Sequence, residues 1–321
     1  MRLTATHHGR GAVGDPTSVK GEDGGMTKDT FAIGGDLPVH RLGYGAMQIT
    51  GDGIWGPPDD HDGAIAVLRR AVELGVDFID TADSYGPAVS EELIAEALHP
   101  YPDDLVIATK AGFTRTGPGK WHVLCFPEYL KQQCELSLRR LRVDSIDLFQ
   151  LHRVDTRLPL AEQLGALVEL QRAGKIKHIG LSEVTVAQLE EALTITPVVT
   201  VQNLYNLSNR AAEPLLAACE ARGIGFIPWF PVQTGELAGP GGPLDALAAT
   251  TGSTPAQLAL AWLLQRSPVV LPIPGTKSVH HLEENMAAVS VDLAPDVVAA
   301  LDAVSPPGTD PTVTGVDVRA R

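Results

Sequence analysis

The sequence predicts a (β/α)8 barrel, a single α/β domain, on three observations. Short apolar runs alternate with helical periods from residue 42 onward, and eight such units fit into roughly 250 residues, the size of that fold. The runs are apolar on successive residues rather than alternating, as expected of a parallel sheet covered on both faces. No GxGxxG follows the first run, LGYGAM, so the competing doubly wound nucleotide-binding sheet lacks its usual fingerprint.

Each unit can be justified in turn. LGYGAM (42–47) precedes the helical stretch 64–75, VDFID (76–80) precedes 90–98, and LVIATK (105–110) precedes 127–141. SIDLFQLH (145–152) precedes 160–174, IKHIGLS (176–182) precedes 186–193, and VVTVQN (198–203) precedes 210–223. IGFIPW (224–229) precedes 253–266, and VVLPIPG (269–275) precedes 281–289. Leu130, Cys134, Leu138 and Leu141 fall on one helical stripe. Thr185 with Gln188 and Thr254 with Gln257 read as capping boxes, and Pro255 suits a first helical position. Gly75, Gly174 and Gly223 stand just past helix ends.

Two segments lie outside the repeat. FAIGGDLPVH (31–40) reads as a hairpin with a Gly-Gly turn, placed to plug the barrel bottom, and 293–304 reads as an extra C-terminal helix. Residues 1–29 are polar and Gly-rich and are expected to be a tail without structure. They lack the apolar core of a secretory signal, and Met26 opens the first domain-like stretch. Residues 30–304 are expected to form one domain and 305–321 a loosely ordered tail. His7 and His8 form a histidine pair without a structural context.

The net charge of −14 argues against nonspecific binding to nucleic acid or anionic membrane. No apolar run approaches the roughly 18 residues of a membrane helix. Three cysteines without a CxxC pair offer no disulfide framework and no zinc spacing, consistent with thiols in a reducing cytoplasm.

Residues at the C-terminal ends of barrel strands converge on one mouth. Here they are Asp80, Lys110, His152, Ser182, Gln202 and Trp229, each where an apolar run turns polar. FIDTADSYG adds Tyr85 and Asp83, of which Asp83 is expected to shape the turn. Asp, Tyr, Lys and His at adjacent strand ends support proton transfer to a carbonyl oxygen. A carboxylate holds an ammonium, the ammonium favours a phenolate, and a histidine fixes the oxygen. No covalent nucleophile or metal is needed, which suits hydride delivery by a cofactor. The Gly/Pro-rich loop 50–58 places Trp55 at the mouth, and loop 110–126 adds Trp121 and Phe126 as pocket candidates.

DTADSYG, IATK, LFQLHR, GLSEV, VQNLYN and IPGTKSVHHLEEN, in this order over residues 31–304, resemble the aldo-keto reductase family. The resemblance implies reduction of aldehydes or ketones with NADPH, with Asp80, Tyr85, Lys110 and His152 as the catalytic tetrad and Tyr85 as general acid. It implies that Ser182 and Gln202 hold the nicotinamide carboxamide, and that Trp229 stacks on the ring where the family usually has tyrosine. Gly45 and Met47 join the cofactor contacts, and Glu183 stands where many members have asparagine. A helix beginning after Ser278 offers amides to a phosphate, with Thr276, Lys277 and His281 beside it. Glu284 and Asn285 match the pair that reads adenine. The family commonly has arginine at the position of His281 and lysine at that of Gly275; with Lys277 nearby, NADPH is favoured over NADH. RLGYGAMQITG and the IWGPP loop look like the branch containing bacterial pyridoxal reductases, with keto-sugar reductases among other relatives.

Two rival readings have distinct signatures. A non-enzymatic cofactor-binding subunit would not require an intact tetrad. A metal-dependent barrel hydrolase usually carries HxH at the first strand end, and none of the ten histidines forms HxH.

Overall fold

The computed structural model describes residues 29–232 and 241–304. The expected tails, apart from Asp29, lie outside the described residues, as do His7 and His8.

The chain opens with the expected hairpin, β1 (Thr30–Ile33) and β2 (Leu37–His40), paired antiparallel. Gly34 turns it at φ +66°, and the His178 ring occupies the place any side chain there would take. His178 Nε2 also meets Asp36 Oδ1 at 2.6 Å. Phe31 packs at the start of a later strand, within 3.1 Å of where a Cβ on Gly225 would sit. These contacts seat the hairpin under the barrel, against the N-terminal halves of the strands.

The barrel begins with β3 (Tyr44–Gly45), followed by a 3-10 turn (Ala46–Ile49) and α1 (His61–Glu73). This helix starts three residues before the expected 64 because Asp60 caps it, accepting from the Gly63 amide at 2.8 Å. Next come β4 (Phe78–Asp80), α2 (Val89–Leu98) and β5 (Val106–Ala111). The segment expected to be a plain loop then forms a second hairpin, β6 (Phe113–Gly117) and β7 (Lys120–Val123), turned by Gly117-Pro118-Gly119. α3 (Pro127–Leu141) follows, with its predicted stripe buried throughout. Burying each such leucine contributes about 1.5–3 kcal/mol, which fixes the face that meets the sheet.

The remaining units are β8 (Ile146–Leu151), α4 (Leu160–Arg172), β9 (Ile176–Ser182), α5 (Val186–Leu193), β10 (Thr200–Leu204), α6 (Glu213–Glu220) and β11 (Gly225–Trp229). α6 starts at Glu213 rather than 210 because Pro214 is tolerated only in a first turn. α7 (Pro243–Thr251), absent from the sequence reading, precedes α8 (Pro255–Arg266), α9 (Val279–Met286) and α10 (Pro295–Val304). Both expected capping boxes form.

Seven strands make one parallel sheet in the order β11-β10-β9-β8-β5-β4-β3. The eighth predicted run, 269–275, closes it without registering as a full strand. Its Val269 carbonyl and Leu271 amide bond Phe226 of β11 at 2.8 Å each, and its Pro272 and Pro274 carbonyls accept from Gly43 and Gly45 at 2.9 and 3.4 Å. The two prolines have no N–H to return, so the ladder on that side runs one way. At this seam the backbones touch: a Cβ on Gly45 would lie 2.6 Å from the Ile273 carbonyl, and one on Gly275 would lie 2.7 Å from the Gly45 carbonyl. Gly45, expected among the cofactor contacts, is required here by barrel closure. The result is the (β/α)8 barrel. All three cysteines are buried free thiols, and burial pushes each up to about 12.

Candidate active site

The register brings the predicted residues to one end of the barrel. Asp80 ends β4, Lys110 is the penultimate residue of β5, His152 follows β8, Ser182 ends β9 and pairs with Gln202, and Trp229 ends β11. Lys110 is fully buried and Asp80 nearly so, with Nζ 2.6 Å from Oδ1. The ammonium has three protons and meets three acceptors: Asp80, the Thr81 carbonyl at 2.7 Å and the Tyr85 hydroxyl at 3.5 Å. Tyr85 therefore accepts from Lys110 and retains its own proton to donate.

The other oxygen of Asp80 accepts from Gln150 Nε2 at 3.0 Å and Gln202 Nε2 at 2.9 Å. Gln150 was missed by the sequence reading. Its signal was a lone amide inside the apolar run LFQL, and Gly180 leaves the room it needs, since a Cβ there would lie 2.8 Å from Gln150 Cγ. Gln202 turns its amide nitrogen toward Asp80 in this structure rather than toward open space. Ser182 Oγ accepts from Arg153 Nη1 at 3.2 Å, and the same nitrogen donates to the His152 carbonyl at 2.7 Å.

His152 Nδ1 lies 3.4 Å from Ser84 Oγ. Its ring stands edge-on to Tyr85 at 5.9 Å, Phe113 at 4.7 Å and Trp121 at 6.5 Å between centroids. Burial, then the charges of Lys110, Arg153 and Arg115, hold its imidazole well below the usual histidine range, so it is neutral at physiological pH. Burial pushes Tyr85 above the usual phenol value despite the opposing pull of Lys110. The ammonium lowers the phenol as expected, but desolvation is the larger effect. For Lys110 burial works downward, and Asp80 with Tyr85 outweighs it to hold the amine above its usual value.

Asp83 shapes the turn through its backbone, with its amide on the Lys110 carbonyl and its own carbonyl receiving the Ala88 amide at 2.8 Å. Its side chain is buried, and neither carboxyl oxygen has a hydrogen-bond partner. Burial and the neighbouring Glu91 carboxylate raise it well above the usual range.

Glu183 does not face open space in the manner of an asparagine amide. At φ +55° its Oε1 accepts from Trp229 Nε1 at 2.6 Å and from the Leu204 amide at 2.8 Å, fixing the indole at the rim.

The expected phosphate end lies at α9. The Tyr44 hydroxyl donates to the Thr276 carbonyl at 2.7 Å, Thr276 Oγ1 receives the Ser278 amide, and Ser278 caps α9 through the His281 amide. The first turn of α9 carries no acid, and Lys277 and His281 are exposed. A helix N-terminus with an exposed lysine beside it and no acid in its first turn fits a phosphate. Asn285 is buried and Glu284 half-buried on the same helix, and Met47 is half-buried in the 3-10 turn beyond Gly45.

Of the three aromatic candidates, Trp121 stands 6.4 Å from Tyr85 and belongs to the mouth. Trp55 borders it through the Trp55–Gly86 bridge. Phe126, at the start of α3, faces Arg157 at 5.8 Å. Among the described residues no group of three or more His, Cys, Asp or Glu is arranged to hold a metal ion, and no helix is long and apolar enough to cross a membrane.

Residues 41–306 match the model of the aldo/keto reductase family. The chain is 53% identical over 268 residues to an uncharacterized oxidoreductase of Schizosaccharomyces pombe, covering 84% of this chain and 87% of that one. It is 45% identical over 286 residues to pyridoxine 4-dehydrogenase of Escherichia coli, covering 87% of this chain and 99% of that one. A crystal structure of an aldo/keto reductase from Klebsiella pneumoniae in complex with NADP and acetate superposes with a TM-score of 0.75 at 28% identity, covering 88% of this chain and 98% of that one.

Proposed function

The chain belongs to the aldo/keto reductase family, whose members are NADP-dependent oxidoreductases acting on carbonyl groups, and on that premise we propose that it reduces aldehydes with NADPH, with Tyr85 as the proton donor. The observation that carries this reading is the buried chain Asp80–Lys110–Tyr85, in which the phenol accepts from an ammonium and keeps its proton. When bound, the nicotinamide supplies hydride to the carbonyl carbon. Tyr85 gives its proton to the carbonyl oxygen, and the Lys110 ammonium stabilises the phenolate left behind. Neutral His152 hydrogen-bonds the same oxygen and positions it. Asp80 holds Lys110 charged, and the two glutamine amides hold Asp80. In the reverse direction the Tyr85 phenolate takes the proton of an alcohol.

Ser182, Gln202 and Trp229 would hold the nicotinamide, and Thr276, Lys277, Ser278 and the first amides of α9 the adenosine phosphate. Glu284 and Asn285 would read the adenine. Residues 30–304 are the functional unit in this reading. Pyridoxal-type aromatic aldehydes are the favoured substrates, supported by the likeness to pyridoxine 4-dehydrogenase and by the indole walls of the mouth.

Purified protein should oxidise NADPH in the presence of pyridoxal or 4-nitrobenzaldehyde. Tyr85→Phe should lower that rate by at least about 100-fold, the low end of general acid catalysis, while NADPH still quenches tryptophan fluorescence. A Tyr85→Phe enzyme that reduces both aldehydes at the normal rate rules out the proton-donor role.

A further inference from the structure

Arg115 sits in β6 of the mouth hairpin, directly across from Trp121 in β7, where the ladder slips by a residue. Such a slip re-aims side chains. Its guanidinium makes four hydrogen bonds, all to backbone carbonyls: Nε to Lys120 at 3.0 Å, Nη1 to Ile54 and Ser84 at 2.8 Å each, and Nη2 to Gly53 at 2.9 Å. These acceptors belong to three segments far apart in sequence: the hairpin itself, the loop carrying Trp55, and the turn carrying Tyr85. The guanidinium carbon lies 3.5 Å from the Trp121 ring centroid and 5.8 Å from that of Trp55.

Ile54 has φ +55°. A β-branched residue is strained in that region and persists there only where its surroundings over-determine it. Its carbonyl receives both Arg115 Nη1 and the Gly86 amide. The strained turn presenting Trp55 is therefore held from Arg115 on one side and from the turn after Tyr85 on the other.

We propose that Arg115 is a positioning and specificity-determining residue, a guanidinium staple that holds Trp55 and Trp121 as an aromatic wall beside Tyr85, so that the pocket selects flat aromatic carbonyl compounds. The proposal rests on the carbonyl-reductase reading of the same mouth. Four of the five N–H groups of Arg115 are committed to backbone, so it recognises substrates through the rings it orders and not by gripping a phosphate or carboxylate. Burial lowers it to about 10, which leaves it charged at neutral pH. Lysine cannot replace it, since an ammonium has no planar fork and does not stack in the same way.

The test uses the full chain with Arg115→Met and Arg115→Lys, assayed with NADPH against 4-nitrobenzaldehyde and propanal. Chymotryptic cleavage after Trp55 is followed separately. Arg115→Met should raise KM for 4-nitrobenzaldehyde at least about tenfold, with its kcat and the KM for propanal within about threefold, the pattern of lost ground-state binding. Cleavage after Trp55 should accelerate at least about tenfold as local opening becomes easier, and Arg115→Lys should move both readouts the same way. An unchanged aromatic KM, an equal rise for both aldehydes, or full rescue by lysine overturns the proposal. If the wild-type chain reduces neither aldehyde, the carbonyl-reductase reading fails by itself and the proteolysis rate decides the staple: an unchanged rate overturns it. If the methionine variant does not fold, the lysine variant carries the same comparisons.

Discussion

Replacing Lys110 with methionine should destabilise the protein by about 3–4 kcal/mol at pH 7, and the structure sets that figure. Methionine fills most of the stem volume, so the change removes a charge and leaves little cavity. At 2.6 Å the Lys110–Asp80 attraction is about 6 kcal/mol gross at an effective dielectric of ~20. Relief of the ammonium's desolvation offsets part of it, and truncating one partner of a buried pair costs about 3–5 kcal/mol in general. Gln150 and Gln202 still donate to Asp80 in the variant, which places the cost in the lower half of that range. Asp80→Asn combined with Lys110→Met removes both charges and should recover at least about 2 kcal/mol relative to the sum of the single changes. Urea unfolding of the four proteins gives the cycle, and the Lys110→Met midpoint temperature should fall by about 5–7 °C, from an unfolding entropy of about 2.1 cal/mol/K per residue over the domain. A loss under about 1 kcal/mol, or strict additivity in the cycle, would refute the view that this pair is an uncompensated charge once broken.

Asp83→Asn should stabilise the protein at neutral pH. The folded-state carboxyl is raised and the unfolded one is not, so between the two the native state binds more protons and stability falls as pH rises above about 4. The asparagine variant should lack that fall, and a wild-type advantage at pH 7 in paired urea melts would contradict the assignment. Lys277→Met should weaken NADPH about tenfold, or about 1.4 kcal/mol, and leave NADH within about twofold. Equal losses for the two cofactors would remove Lys277 from the phosphate site.

Much of the site was legible because its carriers are local. Asp80, Lys110 and His152 stand where apolar runs end, and a barrel brings such ends together whatever their sequence separation. Tyr85 lies five residues beyond Asp80 on the turn that follows. What was not legible depended on which strand ends touch. Gln150 passed as part of an apolar run; only the structure, with the space left by Gly180, shows that it reaches Asp80. Glu183 read as a substitution for a carboxamide contact, whereas the fold gives it to Trp229, 46 residues away. Arg115 stood in a stretch read as loop, and its acceptors at Gly53 and Ile54 lie 62 and 61 residues upstream.

The sequence by itself determined the periodic elements, their caps and the end of the barrel at which polar chemistry collects, because helical stripes, capping boxes and strand termini are set by residues a few positions apart. Only the tertiary structure decided the hydrogen-bond partners. Barrel closure at the Gly45–Gly275 seam fixes which strand ends face one another, and that geometry makes Lys110 bridge Asp80 to Tyr85 and lets Arg115 tie three loops together. Partner choice of that kind depends on distances of a few ångströms between segments tens of residues apart, which no local pattern encodes.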